Sequence, residues 1–251
     1  MSRTKTIFTL IIITVVLLIP GLVYAQSIPF PNIDLKVQNT DRPQEVMDSV
    51  KLLVIITLLS LAPAFLIMMT SFTRIVIVLS FIRSALGTQQ IPPNQIIIGL
   101  ALALTIFVMN PVYQQVNKEA INPYLANQIT REQAMDLGAR PIKQFMLKQT
   151  REKDIALFLK IAKVDKPENA GDLPLSLVLP SFVISELKTA FQMGFLIFVP
   201  FLVIDMVVAS ILMSMGMFML PPVMISLPFK ILLFVMVDGW YLVVKSLVES
   251  F

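Results

Sequence analysis

Six charged residues interrupt the most apolar stretches of this sequence, and their types and positions are the first indication of its chemistry. They are Arg74, Glu186, Lys188, Asp205, Lys230 and Asp238. A charge at the centre of a membrane helix costs about 2.5–3.5 kcal/mol on insertion scales, so such residues usually pair or line a hydrated path. Glu186 and Lys188 are only two residues apart and face different sides of a helix, so each needs a partner elsewhere.

Two functions are consistent with these buried charges. In the first, the charges pair within or between subunits and fix the assembly of a complex. In the second, the protein is an ion-coupled transporter that uses the carboxylates of Asp205 and Asp238. We favour assembly, because neither aspartate lies in a glycine-framed motif typical of intramembrane aspartyl chemistry.

Most catalytic and cofactor chemistry is excluded by composition. The sequence contains no Cys and no His, which removes disulfides, imidazole bases, haem ligation and zinc sites that need either residue. It contains no phosphate-binding glycine loop and no nucleophile elbow. Nothing favours a Ser–Lys dyad. The residues therefore give no indication of a catalytic site, and we expect no cofactor and no metal.

Methionine is concentrated in one short region near the C-terminus. Six of the fifteen methionines are Met206, Met213, Met215, Met217, Met219 and Met224. Alternate spacing over 213–219 would scatter the side chains around a helix, so this stretch, just before Pro221 and Pro222, suits a loop at a turn. Because methionine is unbranched and polarizable, the loop is either an adaptable apolar surface or flexible core filling.

The overall composition is that of a membrane protein. Apolar residues make up 56% and charged residues 14%, against about 45–50% and 25% in soluble domains. The net charge of +4 is too small and too scattered to indicate nucleic-acid binding. Half of the charges lie in residues 112–180, so one charged segment separates two apolar regions.

The first 25 residues are typical of a secretory signal peptide. Arg3 and Lys5 precede a short apolar run at 7–19, and Val23 and Ala25 provide small residues for cleavage. The run is too short to cross a bilayer core of about 30 Å, although an uncleaved N-terminal anchor remains the alternative. Residues 26–45, rich in proline, are expected to form an extended arm.

Two apolar helical hairpins flank the charged segment, which gives an all-α membrane-type fold. The first hairpin covers 46–111, with a kink or break at Pro63 and an end at Asn110 and Pro111. The second covers 181–251, with interruptions at Pro200 and at Pro221 and Pro222. Because the prolines and charges suit lipid poorly, these helices are expected to pack largely against protein.

The charged segment 112–180 is predicted to be helical and extracytoplasmic. Thr130 and Gln133 fit a capping box for a helix ending near Gly138, and Pro141 suits the start of another. Two amphipathic stripes follow, formed by Ile142, Phe145 and Met146 and then by Ile155, Phe158, Leu159 and Ala162. The charged residues between them form either a solvated face or a face for a charged partner.

The side of the membrane on which 112–180 lies depends on which of two rules applies. The signal peptide followed by two crossings places the segment outside the cytoplasm. The positive-inside rule favours the cytoplasm, but it weakens for segments longer than about 60 residues. We therefore follow the signal peptide.

Several motifs resemble one family in particular. They are Pro63-Ala64-Phe65, Met68-Met69-Thr70-Ser71-Phe72-Thr73-Arg74, Ala85-Leu86-Gly87-Thr88, Pro92-Pro93-Asn94-Gln95, Ser185-Glu186-Leu187-Lys188-Thr189-Ala190-Phe191-Gln192-Met193-Gly194-Phe195, Pro228-Phe229-Lys230 and Val237-Asp238-Gly239-Trp240. Together they resemble the type III secretion export-gate family (FliP/SctR). Phe145-Met146-Leu147 and Gln149-Thr150-Arg151-Glu152, with the cleavable signal, indicate its flagellar branch.

The resemblance implies a non-enzymatic channel subunit. Five copies would assemble with FliQ and FliR into a helical, conical ring in the flagellar basal body, with FlhA and FlhB as further partners. The gate would pass unfolded flagellar subunits across the inner membrane, with much of the complex raised toward the periplasm. The Met-rich loop would act as a pore gasket at Met217, Phe218 and Met219, with Phe218 where relatives often have methionine.

Overall fold

The computed structural model of the chain describes residues 43–88, 91–165, 167 and 169–251, and every regular element in these ranges is helical. The predicted signal peptide at 1–25 and most of the arm at 26–45 lie outside the described residues. Residues 43–45, expected to belong to the arm, instead form the first turn of a helix. The all-α prediction is thus confirmed for the part of the chain that is described.

Nine α-helices follow one another along the described chain. They are α1 (Pro43–Met68), α2 (Phe72–Leu86), α3 (Asn94–Val116), α4 (Asn122–Leu125), α5 (Arg131–Gln149), α6 (Glu152–Ala162), α7 (Leu175–Ser214), α8 (Pro222–Met236) and α9 (Gly239–Glu249). A π-helical turn (Asn117–Ile121) joins α3 to α4, and a 3-10 turn (Ala170–Asp172) precedes α7.

The apolar helices continue through their interior prolines, which the sequence predicts to interrupt them. Helix α1 continues through Pro63 and breaks only after Met68, α3 continues through Pro111, and α7 continues through Pro200. A proline removes one backbone hydrogen bond, but in apolar helices neighbouring turns and side chains compensate for that loss. The prediction that Pro111 and Pro200 interrupt the helices was therefore wrong.

Within the charged segment, residues 131–149 form one long helix where a short helix ending near Gly138 and a second one starting at Pro141 were predicted. Helix α5 has the predicted capping box, with both hydrogen bonds between Thr130 and Gln133, but it continues past Gly138 and Pro141. Packing of its apolar stripe outweighs the low helix propensities of Gly138 and Pro141. A Cβ added to Gly138 would lie 3.4 Å from the Ala120 Cβ, so the glycine allows close contact with the π-helical turn.

Most buried apolar residues in the described ranges form two clusters. The first is built around α2, with contributions from α3, α7, α8 and α9, and its fully buried members include Ile75, Val78 and Ile82. The second joins α5, α6 and the start of α7 around Met146 and Phe182. It contains both predicted amphipathic stripes except Ala162, which is exposed.

Among the described residues, two stretches are long and apolar enough to cross a membrane, namely Asn94–Leu125 and Leu175–Ser214. Helices α8 and α9 together form a third candidate, bent by 63°. Many large apolar side chains on these helices are exposed. The chain therefore has the transmembrane character that its composition predicts.

Candidate functional site

Arg74 and Glu186 form a buried ion pair between α2 and α7. The Arg74 Nε donates to the Glu186 Oε2 at 2.9 Å, and the second guanidinium nitrogen donates to the Glu186 Oε1. Their side chains are 2% and 0% exposed. The two parallel bonds match the forked geometry that makes arginine–carboxylate pairs strong and specific.

The remaining donors of Arg74 bind residues from two other parts of the chain. One nitrogen donates to the Ser250 backbone oxygen at 2.7 Å and to its hydroxyl at 2.9 Å, and another donates to the Gln149 Oε1 at 3.0 Å. The guanidinium also lies 4.0 Å from the centre of the Phe251 ring. Arg74 thus connects α2, α5, α7 and the residues after α9.

Gln149, Ser250 and Phe251 were not predicted as partners of Arg74. Gln149 Nε2 donates to the Phe251 backbone oxygen at 2.8 Å, so the three residues form one network around the ion pair. The only sequence signal was the family-like motif that begins at Gln149. Nothing in the sequence around Ser250 marks it as a ligand of a distant arginine.

Asp205 and Lys230 form a second ion pair, between α7 and α8. The Lys230 Nζ donates to the Asp205 Oδ2 at 2.5 Å, and the Ser226 hydroxyl donates to the other carboxylate oxygen. The side chain of Lys230 is 3% exposed and that of Asp205 is 26% exposed. A Cβ at Gly87 would lie 3.7 Å from the same ammonium, so Lys230 also lies near the C-terminal end of α2, where a helix dipole favours a cation.

Lys188 and Asp238 are not brought into ion pairs with the other four predicted charges. Lys188 is exposed on α7 and interacts electrostatically with Arg151, Lys153 and Asp154. Asp238 is exposed before α9 with a φ of 51°, and its side chain does not cap that helix. This geometry does not favour the ion-coupled transporter, because Asp205 is already neutralised by Lys230 and Asp238 is exposed.

Asp154 lies at a polar contact between α6 and α7. It accepts a hydrogen bond from the Ser185 hydroxyl at 2.5 Å and pairs with Arg151 at 2.7 Å, while the Arg151 backbone N–H donates to Ser185 at 3.1 Å. Burial alone raises the pKa of Asp154. The Ser185 hydrogen bond and Arg151 outweigh that effect and hold the pKa below its usual value.

The Met-rich region forms an exposed loop between α7 and α8, as its spacing predicts. Helix α7 ends at Ser214, Gly216 adopts a φ of 77°, and the Met217 backbone N–H donates to the Leu212 oxygen at 2.9 Å. The exposed fractions rise from 43% at Met217 to 78% at Phe218 and 98% at Met219. Such a loop presents apolar surface, and the exposure is nearly complete at Met219.

No group of three or more Asp or Glu side chains in the described ranges is arranged to hold a metal ion. In the apolar helices, Arg74 pairs with Glu186 and Lys230 pairs with Asp205, and the loop at 215–221 exposes apolar side chains. Both kinds of interaction suit a subunit that assembles with others in a membrane.

Comparison with known proteins identifies the family. The model of the FliP family matches residues 55–247. The flagellar biosynthetic protein FliP of Bacillus subtilis (strain 168) is 61% identical over 217 residues, which is 86% of this chain and 98% of the relative. That of Pectobacterium carotovorum is 56% identical over 203 residues, 81% of this chain and 79% of the relative. That of Aquifex aeolicus is 49% identical over 241 residues, 95% of this chain and 98% of the relative. This chain therefore belongs to the FliP family.

Proposed function

We propose that this chain is a pore-forming subunit of the flagellar type III protein export gate, through which unfolded flagellar subunits cross the inner membrane. Family membership supports the role in flagellar export, and the helices long enough to span a membrane support the location. The resemblance supports the finer assignment, with five copies in a ring with FliQ and FliR and with FlhA and FlhB as neighbours.

The loop at 215–221 is the gasket of this proposed gate. The observation that carries the proposal is the exposure of Met217, Phe218 and Met219 at the end of two apolar helices. A channel wide enough for an unfolded chain must exclude ions when idle, and an apolar constriction does so by dewetting. Methionine has three rotatable side-chain bonds, so the constriction can yield to cargo of any sequence.

The six charges serve assembly in this proposal. The Arg74–Glu186 and Asp205–Lys230 pairs set the positions of α2 and α8 on α7, which defines the surface that each subunit presents to its neighbours. Lys188 and Asp238 are exposed and take partners outside the chain. The charged segment at 112–180 lies outside the cytoplasm, and the complex is raised toward the periplasm.

The gasket is tested by shortening Met217, Phe218 and Met219 to glycine in the full gate. We expect the variant to assemble but to let small ions or dyes through the inner membrane, because the exposed loop contributes little to the folded core. The matched control replaces the same three residues with leucine, which keeps apolar bulk, and this variant should stay tight. An assembled triple-glycine variant that remains ion-tight would show that the seal lies elsewhere.

A further inference from the structure

Lys188 lies beside two other basic residues on the surface between α6 and α7. Ser185, three residues before it and therefore on the same side of α7, binds both Asp154 and the Arg151 backbone N–H. That contact brings the start of α6 against this side of α7. We call Arg151, Lys153 and Lys188 the basic patch.

The positive charge of the basic patch is only partly compensated. Arg151 pairs with Asp154 at 2.7 Å, but no carboxylate of the described residues lies within ion-pair distance of Lys153 or Lys188. Lys153 and Lys188 lie close enough for their charges to interact, and both side chains are exposed. Two adjacent ammonium groups repel one another, and an anion bound between them would remove that repulsion.

Lys188 lies at one end of the longest uncharged stretch of helix α7. Helix α7 has 40 residues and so is about 60 Å long, roughly twice the hydrocarbon thickness of a bilayer. The stretch 189–204 that follows Lys188 carries no charge and covers about 24 Å. On the other side of Lys188, the first turns of α7 pack against α5 and α6 in the second apolar cluster.

The surface around Lys188 is apolar and exposed. Ile184, Leu187 and Phe191, which lie within one turn of it on α7, are 39%, 36% and 56% exposed. A lysine in such surroundings lays its aliphatic stem along the apolar surface and extends its ammonium to the lipid headgroups. Arg151 and Lys153 of the charged segment would meet it at the same depth.

We propose that the basic patch binds the phosphate of an anionic phospholipid headgroup at the junction of α6 and α7. The inference rests on the proposed membrane insertion of α7, and it names the outside partner of Lys188. The acyl chains of the lipid would lie along Leu187 and Phe191. One bound lipid would thus connect the charged segment to the membrane surface.

The test is a binding titration on the full chain purified in detergent, with native mass spectrometry counting the bound lipid. The probes are phosphatidylglycerol and phosphatidylcholine, added separately. A lysine near an anionic surface is worth about a factor of five in affinity, so Lys153→Gln with Lys188→Gln should weaken phosphatidylglycerol binding about 30-fold. Phosphatidylcholine binding should stay weak and unchanged.

Two control variants distinguish the effect of losing charge at the basic patch from the effects of a lower net charge and of misfolding. Replacing the exposed lysines Lys118 and Lys160 with glutamine removes the same charge elsewhere and should leave phosphatidylglycerol binding intact. Replacing Lys153 and Lys188 with arginine keeps the charge and should retain it. Loss of binding in the arginine variant, with the helical content of the chain intact, would overturn the proposal.

Other outcomes also overturn the proposal. Displacement of the lipid by millimolar inorganic phosphate would assign the patch to free phosphate. A glutamine variant that binds phosphatidylglycerol normally but fails to join the gate would assign the patch to a carboxylate of a neighbouring subunit. The lipid-binding test does not depend on export or on ion leakage. A triple-glycine loop variant that stays ion-tight would therefore refute the gasket proposal but would not change the lipid-binding result.

Discussion

Removing the Glu186 carboxylate should destabilise each subunit and lower the yield of the assembled gate. Glu186→Ala leaves the Arg74 guanidinium, whose side chain is 2% exposed, without the two bonds that neutralise it. Breaking a buried ion pair by deleting one partner costs about 3–5 kcal/mol, because the remaining charge stays buried. That is a large part of the 5–15 kcal/mol by which native domains are typically stable.

The bonds from Arg74 to Gln149 and Ser250 would survive this change but would not offset it. Both partners are neutral, and the Gln149 amide oxygen and Ser250 backbone oxygen already accept from Arg74 in the intact protein. Glu186→Gln keeps an acceptor for the guanidinium and should cost less than Glu186→Ala. The Arg74→Met and Glu186→Leu double variant removes both charges and should recover part of the lost stability.

The free energy of unfolding can be measured on the full chain in detergent by denaturant titration, with helical content as the signal. The matched control is Asp136→Ala, which deletes one carboxylate of the Arg140–Asp136 pair, whose side chains are 60% and 67% exposed. That exposed pair should contribute about 0.3–0.5 kcal/mol at most. Native gels of the complex report assembly in parallel.

Two results would refute this account of the Arg74–Glu186 pair. If Glu186→Ala cost no more than Asp136→Ala, the pair would not stabilise the fold. If the variant assembled normally while export changed its dependence on ions, the Glu186 carboxylate would serve an ion relay and not assembly. A double variant much less stable than either single variant would show that Arg74 and Glu186 act independently.

Three further predictions follow from local contacts. Gly194→Ala should destabilise the chain by about 1–3 kcal/mol in denaturant titration, because the added Cβ would lie 2.5 Å from two Phe81 ring carbons; a wild-type midpoint would contradict the packing. A cysteine at Gln128 should react with an impermeant maleimide from the periplasmic side, and labelling only after the inner membrane is opened would reverse the topology of 112–180. The pKa of Asp154 in the folded protein is below its usual value of 3.8, so its stabilising contribution is present above that pH and is lost as the pH falls further. Asp154→Asn should therefore flatten the dependence of the free energy of unfolding on pH in acid. An unchanged slope of that dependence would assign it to other groups.

Local sequence patterns predicted the features whose cause is local. The capping box between Thr130 and Gln133 depends on residues three apart, and the loop at 215–221 follows from methionine spacing next to two prolines. The two amphipathic stripes predicted the second apolar cluster because helical periodicity decides which side chains share a face. Each of these could be read within a window of about twenty residues.

The partners of the charges could not be found in the same way. Arg74 is 112 residues from Glu186 and 176 from Ser250, so their meeting depends on how α2, α7 and α9 pack. The spacing of Glu186 and Lys188 indicated that each needs a partner elsewhere, but not which one. The effect of the prolines was predicted wrongly for a related reason. The cost of Pro200 to the helix is local, but the packing of α7 that outweighs this cost is not local.

In the proposed gate, the two ion pairs and the methionine loop meet two opposing requirements along helix α7. Glu186 and Asp205 are 19 residues apart on α7, about 28 Å along its axis, and each fixes a different neighbouring helix. In an apolar environment a charge accepts few alternative partners, so these pairs specify one arrangement of α2 and α8. Apolar methionine side chains accept many arrangements at similar free energy, so in the proposed gate the loop at 215–221 would change shape around cargo while the charged contacts hold the helices that carry it. A polar loop on the same frame would stay hydrated and leak, and an apolar frame without the pairs would leave the position of the loop unspecified.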